Sequence, residues 1–386
     1  MKKVMLFVLS CILGVCSFGT VAAYASEKED GALSPSCKAA YLCDWQTGTV
    51  MYETSAEKHL PIASMCKIMT LLLSFDELEK GRFTLSDEVS VSETASGMGG
   101  SQVFLEAGAK YPAEKLLESI CIASANDSCV AMAEFLYGSE STFVDKMNER
   151  AKELGMKNTQ FTNCTGLPKG GQYSCAKDVA AMLSALLRHE EYYTYSKIWM
   201  DEIVHPGGRK TEMANTNKLI RYYQGCDAGK TGYTSDAGFC LAASAERGNM
   251  RAVSVVIGAP DSKSRFDGCK SMFDYAFANY TNRVAVQEGV LENEVCAISG
   301  GREKTVAVKA EKSLYLFSKK GTQEEIECKT SYRQVKAPIK KGDKIGEIVV
   351  YRDGVEAARA DLLAAEDVLK MGFFDALKDV AEQWII

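Results

Sequence analysis

Apolar and polar positions along this chain change period several times, and each change marks a different element. Ala39-Ala40-Tyr41-Leu42-Cys43 and Thr49-Val50-Met51-Tyr52 are apolar-rich runs around Asp44-Trp45-Gln46-Thr47-Gly48, which predicts two strands joined by a turn. The apolar run Ile68 to Leu73 predicts a helix ending near Lys80, with Gly81 suited to cap it. From Arg82 to Lys110 the pattern is short strands and polar loops, including Gly97-Met98-Gly99-Gly100. Helical spacing returns over Ala113 to Ile122, Ser128 to Tyr137, Ser141 to Leu154 and Asp178 to His189. Two strand-like runs follow, Phe239 to Ala245 and Arg251 to Gly258, around the turn Glu246-Arg247-Gly248-Asn249. A closing helix is predicted over Ser271 to Tyr280.

Helices in the middle with strands at both ends predict an α+β domain whose terminal strands share one antiparallel sheet. After residue 283 the texture shifts to short segments such as Thr305–Val308, Ser313–Leu316 and Glu347–Val350, which predicts a small all-β domain, read as a β-sandwich. Met1-Lys2-Lys3, an apolar stretch to Val21 and Ala23-Tyr24-Ala25 have the three parts of a secretory signal. At the other end Phe373, Phe374, Leu377, Ala381, Trp384 and Ile385 recur at helical spacing opposite Asp375, Lys378, Asp379, Glu382 and Gln383. Such a stripe suits a helix lying in a membrane interface, although its polar face is acidic. The expected division is a signal peptide over 1–25, a first domain over 33–282, the β domain over 283–365 and an amphipathic helix over 366–386.

Charge narrows the partners. Removing residues 1–25 takes away two lysines and no acids, so the net charge goes from −6 to −8. An acidic exported chain without basic clusters is a poor nucleic-acid binder. Twelve cysteines remain, without the spacing of a disulfide framework or a metal motif, and several sit in apolar patterns as small hydrophobes. His59, His189 and His205 show no metal-ligand spacing and read as surface residues. No metal or other cofactor is expected.

The candidate chemistry begins at Ser64-Met65-Cys66-Lys67. Positions three apart share a helix face, so the Lys67 amine can reach the Ser64 hydroxyl. A serine becomes a nucleophile when a base takes its proton, and lysine can be that base when its pKa is lowered. The spacing alone is cheap, because Ser55-Ala56-Glu57-Lys58 and Ser174-Cys175-Ala176-Lys177 share it. Ser55 lies in a polar stretch and reads as a solvated turn, whereas Ser174 precedes a helix and reads as its cap. Cys66, two residues from Ser64, faces the other side and reads as packing.

Two further motifs single out the first copy. Ser124-Ala125-Asn126 and Lys230-Thr231-Gly232 each occur once, in this order. Together with Ser64-Met65-Cys66-Lys67 they resemble the active-site set of penicillin-binding proteins and serine β-lactamases. Pro61-Ile62-Ala63-Ser64, Asn126-Asp127, Met147-Asn148, Leu154-Gly155-Met156, Asn215-Thr216-Asn217-Lys218 and Lys230-Thr231-Gly232-Tyr233-Thr234 are similar to the D-alanyl-D-alanine carboxypeptidase family. The likeness extends through Ala337-Pro338-Ile339-Lys340-Lys341-Gly342 into the β domain. Two departures stand out: Cys66 where the family usually has threonine or serine, and Asp227-Ala228-Gly229 before Lys230.

The resemblance implies a β-lactamase/transpeptidase-like first domain and a peptidoglycan stem peptide ending in D-Ala-D-Ala as substrate, with β-lactams as inhibitors. It implies Ser64 as nucleophile, Lys67 as base and Ser124 as proton relay. Asn126 would hold substrate backbone, and the N–H groups of Ser64 and Tyr233 would form the oxyanion hole. Lys230, Thr231 and Gly232 would lie on an edge strand, with Thr231 and Arg265 at the terminal carboxylate. Arg265 is expected in the loop ahead of the closing helix. A β-lactamase shares the three motifs, but no Glu-x-x-Leu-Asn segment lies between Asn126 and Lys230. An endopeptidase cleaving D-alanyl cross-links by the same chemistry stays open, and a non-enzymatic binding protein would need a damaged motif.

Overall fold

The computed structural model describes residues 33–373 and Asp375. The signal-peptide segment and most of the C-terminal stripe lie outside the described residues.

The first domain is built on a five-stranded antiparallel sheet. Its strands are β1 (Ala39–Asp44), β2 (Val50–Thr54), β3 (Cys226–Thr234), β4 (Gly238–Arg247) and β5 (Met250–Ala259), in the order β2-β1-β5-β4-β3. Strands from both ends of the domain sequence therefore share one sheet, and β3 is an edge. Side chains alternate across the sheet and both faces are covered, so β1 is buried from end to end. Ala39, Tyr41, Cys43, Val253, Val255 and Ile257 face the larger core. Ala40, Leu42, Leu241, Ala243 and Val256 face the other.

On the first face lie α1 (Lys67–Glu79), α2 (Ala113–Ile122), α3 (Asn126–Tyr137), α4 (Glu140–Glu153) and α5 (Ala176–Leu186). The α1 helix is buried nearly all round, which explains its unbroken apolar run. The opposite face is covered by α6 (Ser262–Asn279), through Cys269, Met272, Phe273, Ala276 and Phe277. This helix begins nine residues before the apolar periodicity does. Asp261 caps it by accepting from the Ser264 N–H at 2.7 Å, and the first turns are polar because they face solvent. Arg265 is consequently a helical residue, not a loop residue.

The second domain pairs Tyr280–Val286 with Leu314–Lys319 and adds a six-stranded sheet, which together enclose a separate core. Tyr280 stacks on Phe317 with ring centroids 4.9 Å apart, and Asn282 donates to the buried Asp44 carboxylate at 2.7 Å. The expected helix from 366 is replaced at its start by chain bound to this domain. Val368 pairs with Ile339, Lys370 pairs with Gly301, and Val368 lies in the β-domain core.

Several local expectations change. Cys175, not Ser174, caps α5 by accepting from the Asp178 N–H, while Ser174 shares a hydrogen bond with Thr159. His59 is exposed and stacks on Tyr173, but His189 and His205 are buried. Each buried imidazole has polar partners: Asp76 and Glu79 flank His189, and Tyr111 and Thr211 flank His205. All twelve cysteines from Cys37 to Cys328 are free, and ten of them are buried.

Candidate active site

Ser64 lies in a short 3-10 turn, Ala63–Cys66, that leads directly into α1. With three residues per turn, positions 64 and 67 are eclipsed. Lys67 Nζ sits 2.9 Å from Ser64 Oγ and donates to the Thr165 carbonyl at 2.7 Å. Cys66 turns away, is fully buried, and places its Sγ 3.3 Å from the Asn163 carbonyl. The turn is entered through Ala63 at φ +47°, a left-handed conformation that costs a non-glycine residue about 1 kcal/mol.

The lysine is fixed from a segment to which the sequence reading assigned no role. The Asn163 carboxamide oxygen accepts from the N–H groups of Thr165 and Gly166, at 3.1 and 2.7 Å, and so folds the loop that presents the Thr165 carbonyl. Gly166 has φ +82°, and a Cβ there would come 2.0 Å from the Ala63 carbonyl oxygen. Asn163-Cys164-Thr165-Gly166 is legible only as a turn composition; no apolar period points to it.

Ser124 follows the end of α2 at φ +62°, where glycine is the usual residue, and leads into Asn126 at the start of α3. Its Oγ is buried with no hydrogen-bond partner among the described residues, and the same holds for Asn126 Oδ1. Asn126 Nδ2 donates to the Gly99 carbonyl at 2.6 Å, and its backbone N–H donates to the Ser101 carbonyl at 2.7 Å. The amide is thereby oriented with its acceptor unused. Buried acceptors left open in this way are rare outside sites that receive a ligand.

Lys230, Thr231 and Gly232 lie on edge strand β3. Gly232 serves close packing here. A Cβ would lie 2.6 Å from the Ile62 carbonyl and 3.1 Å from the Ser64 nitrogen, so only glycine lets the strand approach the turn. Lys230 is buried and its Nζ donates to the Thr231 carbonyl at 3.2 Å, while the Thr231 hydroxyl donates to Thr216 at 2.9 Å. Tyr233 is exposed and its ring packs on Phe239, with centroids 4.4 Å apart. Arg265 reaches the same strand from α6, donating from Nη1 to the Gly232 carbonyl at 3.2 Å. Its guanidinium also sits over the Phe239 and Phe266 rings, at 5.4 and 4.9 Å from their centroids. Part of its donor capacity is thus committed to backbone.

Burial sets the electrostatics. Both lysines are enclosed, and loss of water disfavours their charged forms. Burial lowers Lys67 below the ordinary lysine range. Burial first, and then the positive charge of Lys67, bring Lys230 down to about 7. A lysine whose charged form is disfavoured by burial and whose amine touches a serine hydroxyl can act as its base.

A serine paired with a depressed amine, on the helical side of an antiparallel sheet and against an edge strand, defines a serine acyl-transfer enzyme of the penicillin-binding class. The sequence model of D-alanyl-D-alanine carboxypeptidase, peptidase S11, matches residues 25–261, and that of the penicillin-binding protein 5 C-terminal domain matches residues 292–370. The chain belongs to the D-alanyl-D-alanine carboxypeptidase family. It is 40% identical over 374 residues to D-alanyl-D-alanine carboxypeptidase DacF of Bacillus subtilis, covering 95% of each chain. The crystal structure of penicillin binding protein 5 from Haemophilus influenzae superposes with a TM-score of 0.70 at 29% identity, over 87% of this chain and 98% of that one. A mutant of the Streptomyces K15 DD-transpeptidase aligns at 26% identity with a TM-score of 0.60, over 64% of this chain and 99% of that one.

Proposed function

We propose that this chain is a serine-type D-alanyl-D-alanine carboxypeptidase that removes the terminal D-alanine from peptidoglycan stem pentapeptides, and that β-lactams acylate the same serine. The observation that carries the reading is the 2.9 Å contact between Ser64 Oγ and the buried amine of Lys67. Neutral Lys67 takes the Ser64 proton as Oγ attacks the carbonyl between the two D-alanines. The N–H groups of Ser64 and Tyr233 receive the developing oxyanion; losing one such donor typically costs about 10² to 10³ in rate. Ser124 passes a proton from Lys67 to the leaving amine, and water then releases the acyl group. The unused Oδ1 of Asn126 accepts from the substrate backbone, and Thr231 with Arg265 receives the terminal carboxylate.

The enzyme works outside the cytoplasm, at the outer face of the membrane or in the wall. Among the described residues no helix is long and apolar enough to cross a membrane. The C-terminal stripe is read as an interfacial contact, and deletion of residues 373–386 is expected to lower membrane partition. Release of D-alanine from a pentapeptide, with slow turnover of penicillin, is the expected activity. Rapid penicillin hydrolysis without D-alanine release would instead identify a β-lactamase.

A further inference from the structure

Beside Asn126 runs a loop, residues 99–106, whose Gly99 and Ser101 carbonyls hold that residue and whose remainder the proposed chemistry does not use. It is held with unusual care around one residue. Phe104 has φ +60°, a conformation that L side chains rarely adopt, and its side chain is 55% exposed. The amides on either side of it, Val103 N–H and Leu105 N–H, both donate to the buried carboxylate of Asp127, each 3.1 Å from Oδ2. Its own carbonyl accepts from Arg209 Nη2 at 2.7 Å, and Arg209 also bonds the Glu106 carboxylate at 3.0 Å. Arg209 belongs to a second element, the turn of the hairpin formed by Met200–Val204 and Lys210–Ala214. That hairpin grips the loop again where the Tyr111 hydroxyl, which receives the Glu106 N–H, contacts His205.

A left-handed phenylalanine persists only when its surroundings over-determine it, and such residues gather at ligand clamps. Here one hydrogen bond to the Phe104 carbonyl and two from the amides of its neighbours Val103 and Leu105 hold a large apolar side chain outward, when folding alone would bury it. The location is defined by the chain. Phe104 is three residues from Ser101, whose carbonyl holds the Asn126 N–H, so it lies within roughly 10 Å of that anchor along the loop.

We propose that Phe104 is a specificity residue, an apolar contact for the part of the stem peptide on the acyl side of the scissile bond, and that Arg209 is the positioning residue that presents it. This rests on the carboxypeptidase reading above, in which Thr231 and Arg265 receive the terminal carboxylate of the leaving D-alanine, and it adds that the backbone group met by Asn126 belongs to the acyl half. A loop next to Asn126 therefore borders the acyl half. Hydrophobic contact with one side chain is worth about tenfold in kcat/KM.

The test uses the full mature chain and two substrates, a stem pentapeptide and N-acetyl-D-Ala-D-Ala, whose acyl side is cut short. Phe104→Gly removes the ring while making the backbone conformation easier, so the variant folds. The expected result is a KM for the pentapeptide raised about tenfold with kcat unchanged, and no change for the short substrate or for penicillin acylation. Arg209→Ala is expected to reproduce this substrate-length dependence, and Arg209→Lys, which keeps one donor for the Phe104 carbonyl, to restore part of the loss. Wild-type pentapeptide kinetics in Phe104→Gly, or equal losses on both substrates, overturn the proposal. Release of D-alanine by the unsubstituted enzyme tests the underlying carboxypeptidase reading separately.

Discussion

Gly166 lies against Ala63 so closely that a methyl group on it would come 2.0 Å from the Ala63 carbonyl oxygen. The contact locks the loop that carries the Thr165 carbonyl to the turn that carries Ser64, and so sets where the Lys67 amine is held. Gly166→Ala faces both this collision and a φ of +82°, and the obstacle is backbone on both sides. The expected loss of stability is about 3 kcal/mol, with penicillin acylation reduced in the fraction that folds. Urea unfolding and acylation kinetics check it; a variant with wild-type values for both would show that the loop is free to move.

Ser124 is the opposite case, a strained residue retained for its hydroxyl. Ser124→Gly keeps the left-handed conformation without a Cβ and removes a buried oxygen that has no hydrogen-bond partner among the described residues. The protein is expected to become more stable by about 1 kcal/mol while turnover of a D-Ala-D-Ala peptide falls about 10² to 10⁴-fold. Thermal melting and D-alanine release measure the two effects. A less stable variant with full turnover contradicts both parts.

Much of this was legible in the chain. The three short motifs carry reactive side chains in fixed order, and β1, β4 and β5 are apolar runs because the sheet is covered on both faces. Less legible were groups whose importance lies in the backbone. Gly166 and the Asn163 loop act through carbonyls and close approach, which leave no periodicity. Gly232 is legible as the end of the Lys230-Thr231-Gly232 motif, but that its missing Cβ clears the Ile62 carbonyl is not. The α6 start is hidden because Ser262 to Asp267 are mostly polar and only half-buried or exposed, and the buried His189 and His205 are hidden because burial through paired polar contacts has no sequence signature.

Lys230→Gln should move a pH profile. Each of the two buried ammonium groups disfavours charge on the other, so losing Lys230 raises the pKa of Lys67. Less neutral base is then present at a given pH, and the acid limb of penicillin acylation shifts to higher pH. Second-order acylation rates measured between about pH 5 and 9 test this. A limb that stays in place or moves to lower pH would separate the two lysines electrostatically.

His189 ties α5 to the end of the helix that carries Lys67. It lies 3.2 Å from Asp76 and 2.8 Å from Glu79, both in the last turn of α1. Burial opposes its charge, but the two carboxylates outweigh burial, and its pKa is raised above 6.5. The stabilisation is therefore complete below the unfolded value and is lost as pH rises through the folded one. His189→Gln is expected to cost about 1 kcal/mol near pH 6 and much less near pH 9. Paired urea titrations decide it, and a cost that grows with pH would refute the ion-pair role.

The most direct test of the Ser64–Lys67 pairing is labelling of the mature protein with a fluorescent penicillin, followed by mass mapping of the acylated peptide. The expected adduct is on Ser64, absent in Ser64→Ala and slowed about 10² to 10⁴-fold in Lys67→Ala. An adduct on any other residue, or labelling that survives Ser64→Ala, would contradict the assignment of Ser64 as nucleophile.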